Sequence, residues 1–229
     1  MKCTVIVIFL FIILTNSLNA QNMLNGLMDE YRFTKMREGT FSGYNLKMSE
    51  IQGTPYLNLE FSTGKIVTNK ETIYTDIPLR YNAYSDDLEF RKDNETYNIN
   101  PKTIIKRAEF GGVIFACLQY DSGDKIKNGL FEILTEGKAT LLVRYSVRFS
   151  DKEEAKAYAD PKPPRFEEVQ KTHYIIIDGN PAKLISNKKG LLELFGAQKS
   201  EMESYISRNK IAVKGDDNLT RIVAHYNSL

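Results

Sequence analysis

Histidine is the usual general base near neutral pH, and this chain contains 2 of them, His173 and His225. His173 opens the apolar run Tyr174 to Ile177 and reads as a satisfied strand-edge residue. His225 lies one helical turn from Arg221 on a polar face and reads as solvated. Neither has a ligand partner three or four residues away and there is no cysteine pair, so no zinc site is expected. The chain has no Gly-x-Ser-x-Gly elbow, phosphate loop or dinucleotide fingerprint. Carboxylates are plentiful, and the densest set near aromatics is Asp86, Asp87 and Glu89, the raw material of a glycosidase-type acid and base. Those residues also have a structural reading, which is preferred: Asp86 falls in a turn, where aspartate bonds its own backbone, and Glu89 meets Arg80 across a hairpin. No catalytic, metal or cofactor-binding residue is assigned, and no cofactor is expected. The candidate binding residues are Arg80, Asn82, Glu89, Tyr145 and Tyr226; a carbohydrate platform is weakened by 13 tyrosines standing beside no tryptophan.

Cysteine chemistry is limited in the same way. Cys3 sits in the N-terminal leader and would leave with it, so Cys117 stands alone, without an internal disulfide. Its neighbours Val113 to Leu118 are apolar, and it reads as a small buried hydrophobe. Stability must then come from burial, which the ~209 residues after the leader can supply in one core.

The leader itself is the clearest feature of the sequence. Lys2 precedes the unbroken apolar run Val5 to Leu14, and a polar stretch leads to Ala20-Gln21, the order of a secretory signal peptide. The apolar run makes only about 15 Å of helix, roughly half a bilayer's hydrocarbon thickness, so residues 1–20 are expected to be cleaved rather than to anchor the chain. No later run approaches the ~18 residues of a membrane-spanning helix, so no transmembrane span is expected after cleavage. Basic and acidic residues number 31 and 29, and losing Lys2 leaves the mature chain near +1, which gives no long-range attraction for nucleic acid or anionic lipid.

The elements that must carry the candidate residues are mostly strands. From Ile73 to Ala83 the odd positions are the more apolar and the even ones, Tyr74, Asp76, Arg80 and Asn82, the more polar; Leu88-Glu89-Phe90 resumes the alternation after a break at Ser85-Asp86-Asp87. With Ser85-Asp86 as a tight loop, Ala83 faces Leu88, Tyr81 faces Phe90, Asn82 faces Glu89, and Arg80 is a diagonal neighbour of Glu89. Pro78 cannot donate to a ladder and belongs at an edge or a bulge. A second turn at Asp93-Asn94 leads to Tyr97-Asn98-Ile99, closed by Asn100-Pro101, and further strands are expected at Ile104 to Phe110, Val113 to Tyr120 and Leu130 to Leu134. The strongest pattern runs from Lys138 to Phe149, about 40 Å if fully extended, with Leu142 alone off pattern. A strand of that length coils, so a curved meander or partly closed barrel with one wet face is expected.

Ser150 to Glu153 matches a capping box, with helix-compatible residues from Glu154 to Ala159 and a stop at Asp160-Pro161-Lys162-Pro163-Pro164. That interruption is a surface loop or a domain linker, the loop being preferred because Thr172 to Ile177 and Ala182 to Ile185 read as another hairpin. From about residue 187 the chain is helical: Lys188 to Phe195, a helix begun by a capping box at Ser200 to Glu203, and a last helix with Leu219, Ile222, Val223 and Tyr226 on one stripe. The fold class is therefore α+β, mainly antiparallel β, as one domain over residues 21–229.

Ile77 to Phe90, Glu136 to Leu142 and the ending Ala224 to Leu229 resemble a family of uncharacterised exported proteins of the Bacteroidota, over most of the mature chain. The resemblance implies a Gram-negative envelope, with a periplasmic, extracellular or outer-membrane-associated location expected, and it carries over no catalytic residue. The function expected is a non-catalytic envelope protein presenting a binding surface to a lipid, peptide or protein partner. The sharper lipid or peptide version requires an apolar pocket between Ala139 to Phe149 and the last helix. A carboxylate-dependent hydrolase and an accessory subunit of an outer-membrane assembly are the alternatives, and oligomeric state is left open.

Overall fold

The computed structural model describes residues 23–37, 39–41, 46–100, 102–154 and 160–229. The leader with Cys3 and its cut site, Pro101, and residues 155–159 of the expected helix lie outside them. Helix α1 (23–30) buries Leu24 and Leu27 in the core. Eleven strands make one antiparallel sheet in the order β1 (Thr34–Lys35), β7 (Glu95–Asn98), β6 (Asp87–Lys92), β5 (Ile73–Asn82), β4 (Ser62–Thr68), β8 (Ile105–Phe110), β9 (Val113–Asp121), β10 (Ile126–Thr135), β11 (Ala139–Ser146), β14 (Gln170–Ile177) and β15 (Lys183–Leu184). The order is two meanders joined at β4, and the expected curved α+β architecture is found. The sheet is not closed, although Ala182 folds back onto β9, donating to Gln119 O at 2.9 Å and accepting from Asp121 N at 2.9 Å.

Several details depart from simple alternation. In β5 the odd-position rule holds only from Ile77 onward: Ile73 is exposed and Tyr74 is buried. The ladder to β4 jumps from Gly64↔Ile77 to Ile66↔Tyr74, and Asp76 at φ 58° carries the bulge that resets the faces. Pro78 sits beside that bulge, on an interior strand rather than an edge, and the ladder to β6 starts only at Leu79↔Phe90. The β5–β6 register is slipped by two residues from the expectation. Arg80 stands directly opposite Glu89 and Tyr81 opposite Leu88, leaving residues 83–86 as the loop. A slip of two preserves both faces, so the apolar pattern alone could not distinguish the registers.

Strand β11 ends at Ser146 instead of running to Phe149, and its polar face is only partly wet: Thr140 and Arg144 are half-buried and Ser146 is exposed. Leu141 and Val143 are fully buried on one face, and Leu142 is fully buried on the other with Phe131, Tyr120 and Tyr174. The middle strands are covered on both sides because the sheet curls around one large cluster that includes Ile77, Leu79, Tyr81, Phe90 and Phe115, while its β14–β15 end folds over the opposite face. Short pairs β2 (Thr40–Phe41) with β3 (Leu46–Lys47) and β12 (Phe149–Ser150) with β13 (Arg165–Phe166) cap the large cluster, where Phe41 packs on Phe149 and Phe166 at centroid distances of 4.8 and 5.0 Å. The capping box expected at Ser150 is replaced by this strand, and Glu153 pairs its backbone with Lys162 in both directions.

The helical end comprises α2 (Lys188–Leu194), α3 (Lys199–Arg208) and α4 (Asp216–Ser228). Asn187 caps α2 by accepting from Gly190 N at 2.9 Å. Helix α3 begins one residue before Ser200 and Gln198 occupies its cap without a side-chain bond, so the second expected capping box does not form either. The stripe Leu219, Ile222 and Val223 docks on Ala139, Leu141 and Ile175 of the sheet and on Leu191, Met202 and Ile206 of the preceding helices. The space proposed as a lipid pocket between β11 and α4 is filled by these buried side chains.

Candidate functional site

Three of the five candidate binding residues form one cluster on the β5–β6 hairpin. Glu89 is fully buried and accepts from Arg80 Nη2 at 2.6 Å, Arg80 Nε at 3.3 Å and Asn82 Nδ2 at 3.0 Å. The Arg80 guanidinium lies 3.5 Å from the Tyr56 ring centroid and 4.2 Å from that of Phe61, and its Nη1 donates to Leu59 O at 3.0 Å. Asn82 Oδ1 accepts the backbone N–H groups of Tyr84 and Ser85, which shapes the loop. Burial, and then the Glu89 charge, pushes the Tyr56 hydroxyl up to about 12. A buried carboxylate must be paired, and Glu89 is; residues 56–61 form the lid over the pair.

A second cluster gathers on Asp86, expected as a turn residue bonding its own backbone, through partners that come mostly from distant segments. Asp86, at φ 58° and largely buried, accepts from Tyr81 Oη at 2.9 Å and from Leu130 N at 3.3 Å through Oδ1, and from Lys102 Nζ at 2.9 Å and Arg144 Nη2 at 3.1 Å through Oδ2. Arg144 reaches it across Gly129, where a Cβ would stand 3.3 Å from Arg144 Nε, and lies 4.9 Å from the Tyr120 ring centroid. Burial, followed by the neighbouring Asp86, holds the Tyr81 hydroxyl far above the usual phenol range. Cys117 packs against the same large core, and burial pushes its thiol up to about 11, the opposite of what a nucleophile needs.

Tyr145 and Tyr226 do not join the hairpin cluster. The Tyr145 hydroxyl donates to the buried Glu132 carboxylate, and Lys171 lies 5.6 Å from its ring centroid. Nearby, Asp216 at the start of α4 accepts from Lys171 Nζ at 2.6 Å and faces His173 Nε2 at 2.7 Å. Tyr226 stacks on Phe195 at 4.7 Å, and His225, read as solvated, is half-buried and stacks on Tyr205 at 3.7 Å. His173 is satisfied, as expected of it, by a carboxylate arriving from a helix 43 residues later. Among the described residues no group of three or more His, Cys, Asp or Glu is placed to hold a metal ion, and no helix is long and apolar enough to cross a membrane.

A groove of about 490 Å³ lies between the β9–β10 turn, the β14–β15 hairpin and α2. Ile126, Ile177, Pro181 and Leu194 line it, with Asp121, Asp178 and Glu193 on its rim and Lys183 as its one cation. Among the described residues none of the three rim carboxylates has an ion-pair or hydrogen-bond partner for its side chain. The sequence reading missed this groove because its walls come from segments far apart in the chain. No protein-family model, curated protein or solved structure matches the chain.

Proposed function

We propose that this chain is a non-catalytic exported protein of the cell envelope, periplasmic or facing outward, which presents a binding surface to a protein or peptide partner. One contrast carries the reading. The buried carboxylates are paired, Glu89 with Arg80 and Asn82 and Asp86 with Lys102 and Arg144, and the partly exposed Asp216 is held by Lys171 and His173, whereas the carboxylates around the open groove have no such partners among the described residues. A catalytic acid or base must be free to exchange a proton with substrate, and side chains locked into such networks serve the scaffold instead. The filled space between β11 and α4 favours a surface partner over an enclosed lipid.

The test is direct. Cell fractionation should find the mature chain, with the leader removed, in the envelope or the medium. The purified chain should leave a panel of chromogenic glycosides and esters unhydrolysed. Turnover that disappears in Asp86→Asn or Glu89→Gln, or retention of the full-length chain in the cytoplasm, would overturn the proposal.

A further inference from the structure

We infer that the groove between the β9–β10 turn, the β14–β15 hairpin and α2 takes a lysine- or arginine-bearing aliphatic segment of a partner protein; the inference rests on the binding role proposed above and names the chemistry of its ligand. Apolar side chains are open to solvent within it: Ile126 is 53% exposed, and Ile177 and Leu194 are half-buried beside Pro181. The lining carries Asp121, Asp178 and Glu193 against Lys183 alone, three carboxylates to one ammonium, the complement of a cationic ligand.

The walls are held in place before any ligand arrives. Asp178 and Gly179 adopt φ of 53° and 69° in the hairpin turn, and Asn180 bonds Ile177 O through both its backbone N–H and its Nδ2. Asp121 is fixed by its backbone bond to Ala182 O. The protein therefore leaves three carboxylates without a side-chain partner among the described residues, beside exposed aliphatic side chains, while its buried carboxylates Asp86 and Glu89 are each given a cation.

The spread of those carboxylates selects the occupant. They do not converge closely enough to hold a metal ion. An occupant must cover isoleucine and leucine side chains and still place positive charge at separated rim positions. Lysine and arginine do this within one side chain, an apolar stem ending in a charged head. A volume of about 490 Å³ with Ile126 exposed in its wall accommodates a few side chains of an extended segment rather than enclosing a free molecule.

The experiment follows the Ile126, Ile177 and Leu194 methyl signals of the isotope-labelled mature protein during titration with acetyl-Lys-Leu-Lys-amide, acetyl-Lys-Ser-Lys-amide, acetyl-Glu-Leu-Glu-amide and 1,5-diaminopentane. The Lys-Leu-Lys peptide should shift these signals. Its affinity should fall about tenfold in the Asp178→Asn/Glu193→Gln double variant, and also with Ile126→Ser, and it should weaken as salt shortens the screening length. Both substitutions of charge are at exposed positions, so the fold should persist, as the remaining methyl signals will report. Equal binding of the serine or glutamate peptide, or unchanged affinity in the double variant, would overturn the inference. Tighter binding of the diamine would reassign the groove to free amines and overturn it as well. If none of the peptides binds while a photocrosslinker at position 126 still joins the protein to a partner in cells, the ligand chemistry inferred here fails and the binding role stands.

Discussion

The carboxylate of Asp86 accepts the backbone N–H of Leu130 at 3.3 Å, across 44 residues of sequence. At this level β10 and β11 have parted: their ladder runs over Glu132↔Val143, Ile133↔Leu142 and Thr135↔Leu141. The end of the β5–β6 hairpin fills the opening, with Tyr81 Oη reaching Tyr145 O at 3.4 Å and Val147 N donating to Ala83 O at 3.2 Å. Side chains and a loop thus take over the hydrogen bonds that a neighbouring strand would have made.

Replacing Asp86 by alanine leaves Lys102 and Arg144 without their shared counter-charge and Leu130 N without its acceptor. Removing one partner of a buried ion network costs about 3–5 kcal/mol, so Asp86→Ala should lower the urea midpoint severely. Asp86→Asn can still accept from Leu130 and Tyr81 and should lose less. Equal midpoints for the wild type and Asp86→Ala would show that the network contributes nothing.

The legible part of this fold is what strand alternation and turn chemistry encode locally. Tyr81, Leu88 and Phe90 on one face and Arg80, Asn82 and Glu89 on the other could be read because each lies within a few residues of its turn. The two-residue slip could not, since it leaves every side chain on its own face. Nor could Arg144 be assigned to Asp86, or His173 to Asp216, because those contacts depend on how far the sheet curls and where α4 lands. The groove is the extreme case, built from Asp121, Asp178 and Glu193 on three separate segments.

Gly64 lets β4 lie close against β8. A Cβ at this position would stand 2.3 Å from Glu109 O and 2.6 Å from Phe110 Cβ, contacts with the adjacent strand that no side-chain rotation can relieve. Gly64→Ala should therefore destabilise by about 3 kcal/mol, the upper end of the usual cost of overpacking. Gly112→Ala, where nothing lies within 4 Å, tests the specificity of the effect, because its cost comes only from its φ of 80°. Denaturation of the two variants should rank Gly64→Ala as the more damaging.

Cys117 should be a poor nucleophile. With its thiol held near 11 by burial, the thiolate fraction at neutral pH is far below that of a free cysteine. Reaction with an aromatic disulfide reagent at pH 8 should be much slower in the native protein than in urea. Equal rates would mean that the thiol is neither shielded nor shifted.

Asp216 gives the fold an acid limb. Burial alone would raise its pKa, but hydrogen bonds from Lys171 and His173, with their charges, hold it below the ordinary 3.8. A carboxyl depressed in the folded state contributes stability that is fully present above its unfolded pKa and is lost as pH falls through the folded value. The stability gap between wild type and Asp216→Asn should thus be open above the unfolded carboxyl pKa of about 4 and close as pH falls below it. Denaturation measured at several pH values would check it, and a gap that stays fully open at pH 2 would contradict the assignment.

The other end of the same helix is fastened differently. Asn227 accepts from Ala139 N at 2.7 Å through Oδ1 and donates to Ala139 O at 2.9 Å through Nδ2, pairing with the first residue of β11 as another strand would. The approach is possible because residue 137 is glycine: a Cβ there would meet Asn227 Nδ2 at 2.4 Å and Cγ at 2.6 Å. Asn227→Ala removes both bonds and should cost about 1–3 kcal/mol, and Gly137→Ala should cost a similar amount by displacing the same amide. Because both substitutions break one interaction, the double variant should be little worse than either alone, and a double-mutant cycle will show coupling of about 1 kcal/mol or more. Faster hydrogen exchange at Ala139 N in all three variants would locate the loss at this contact, whereas strictly additive effects would mean that Gly137 acts elsewhere in the turn.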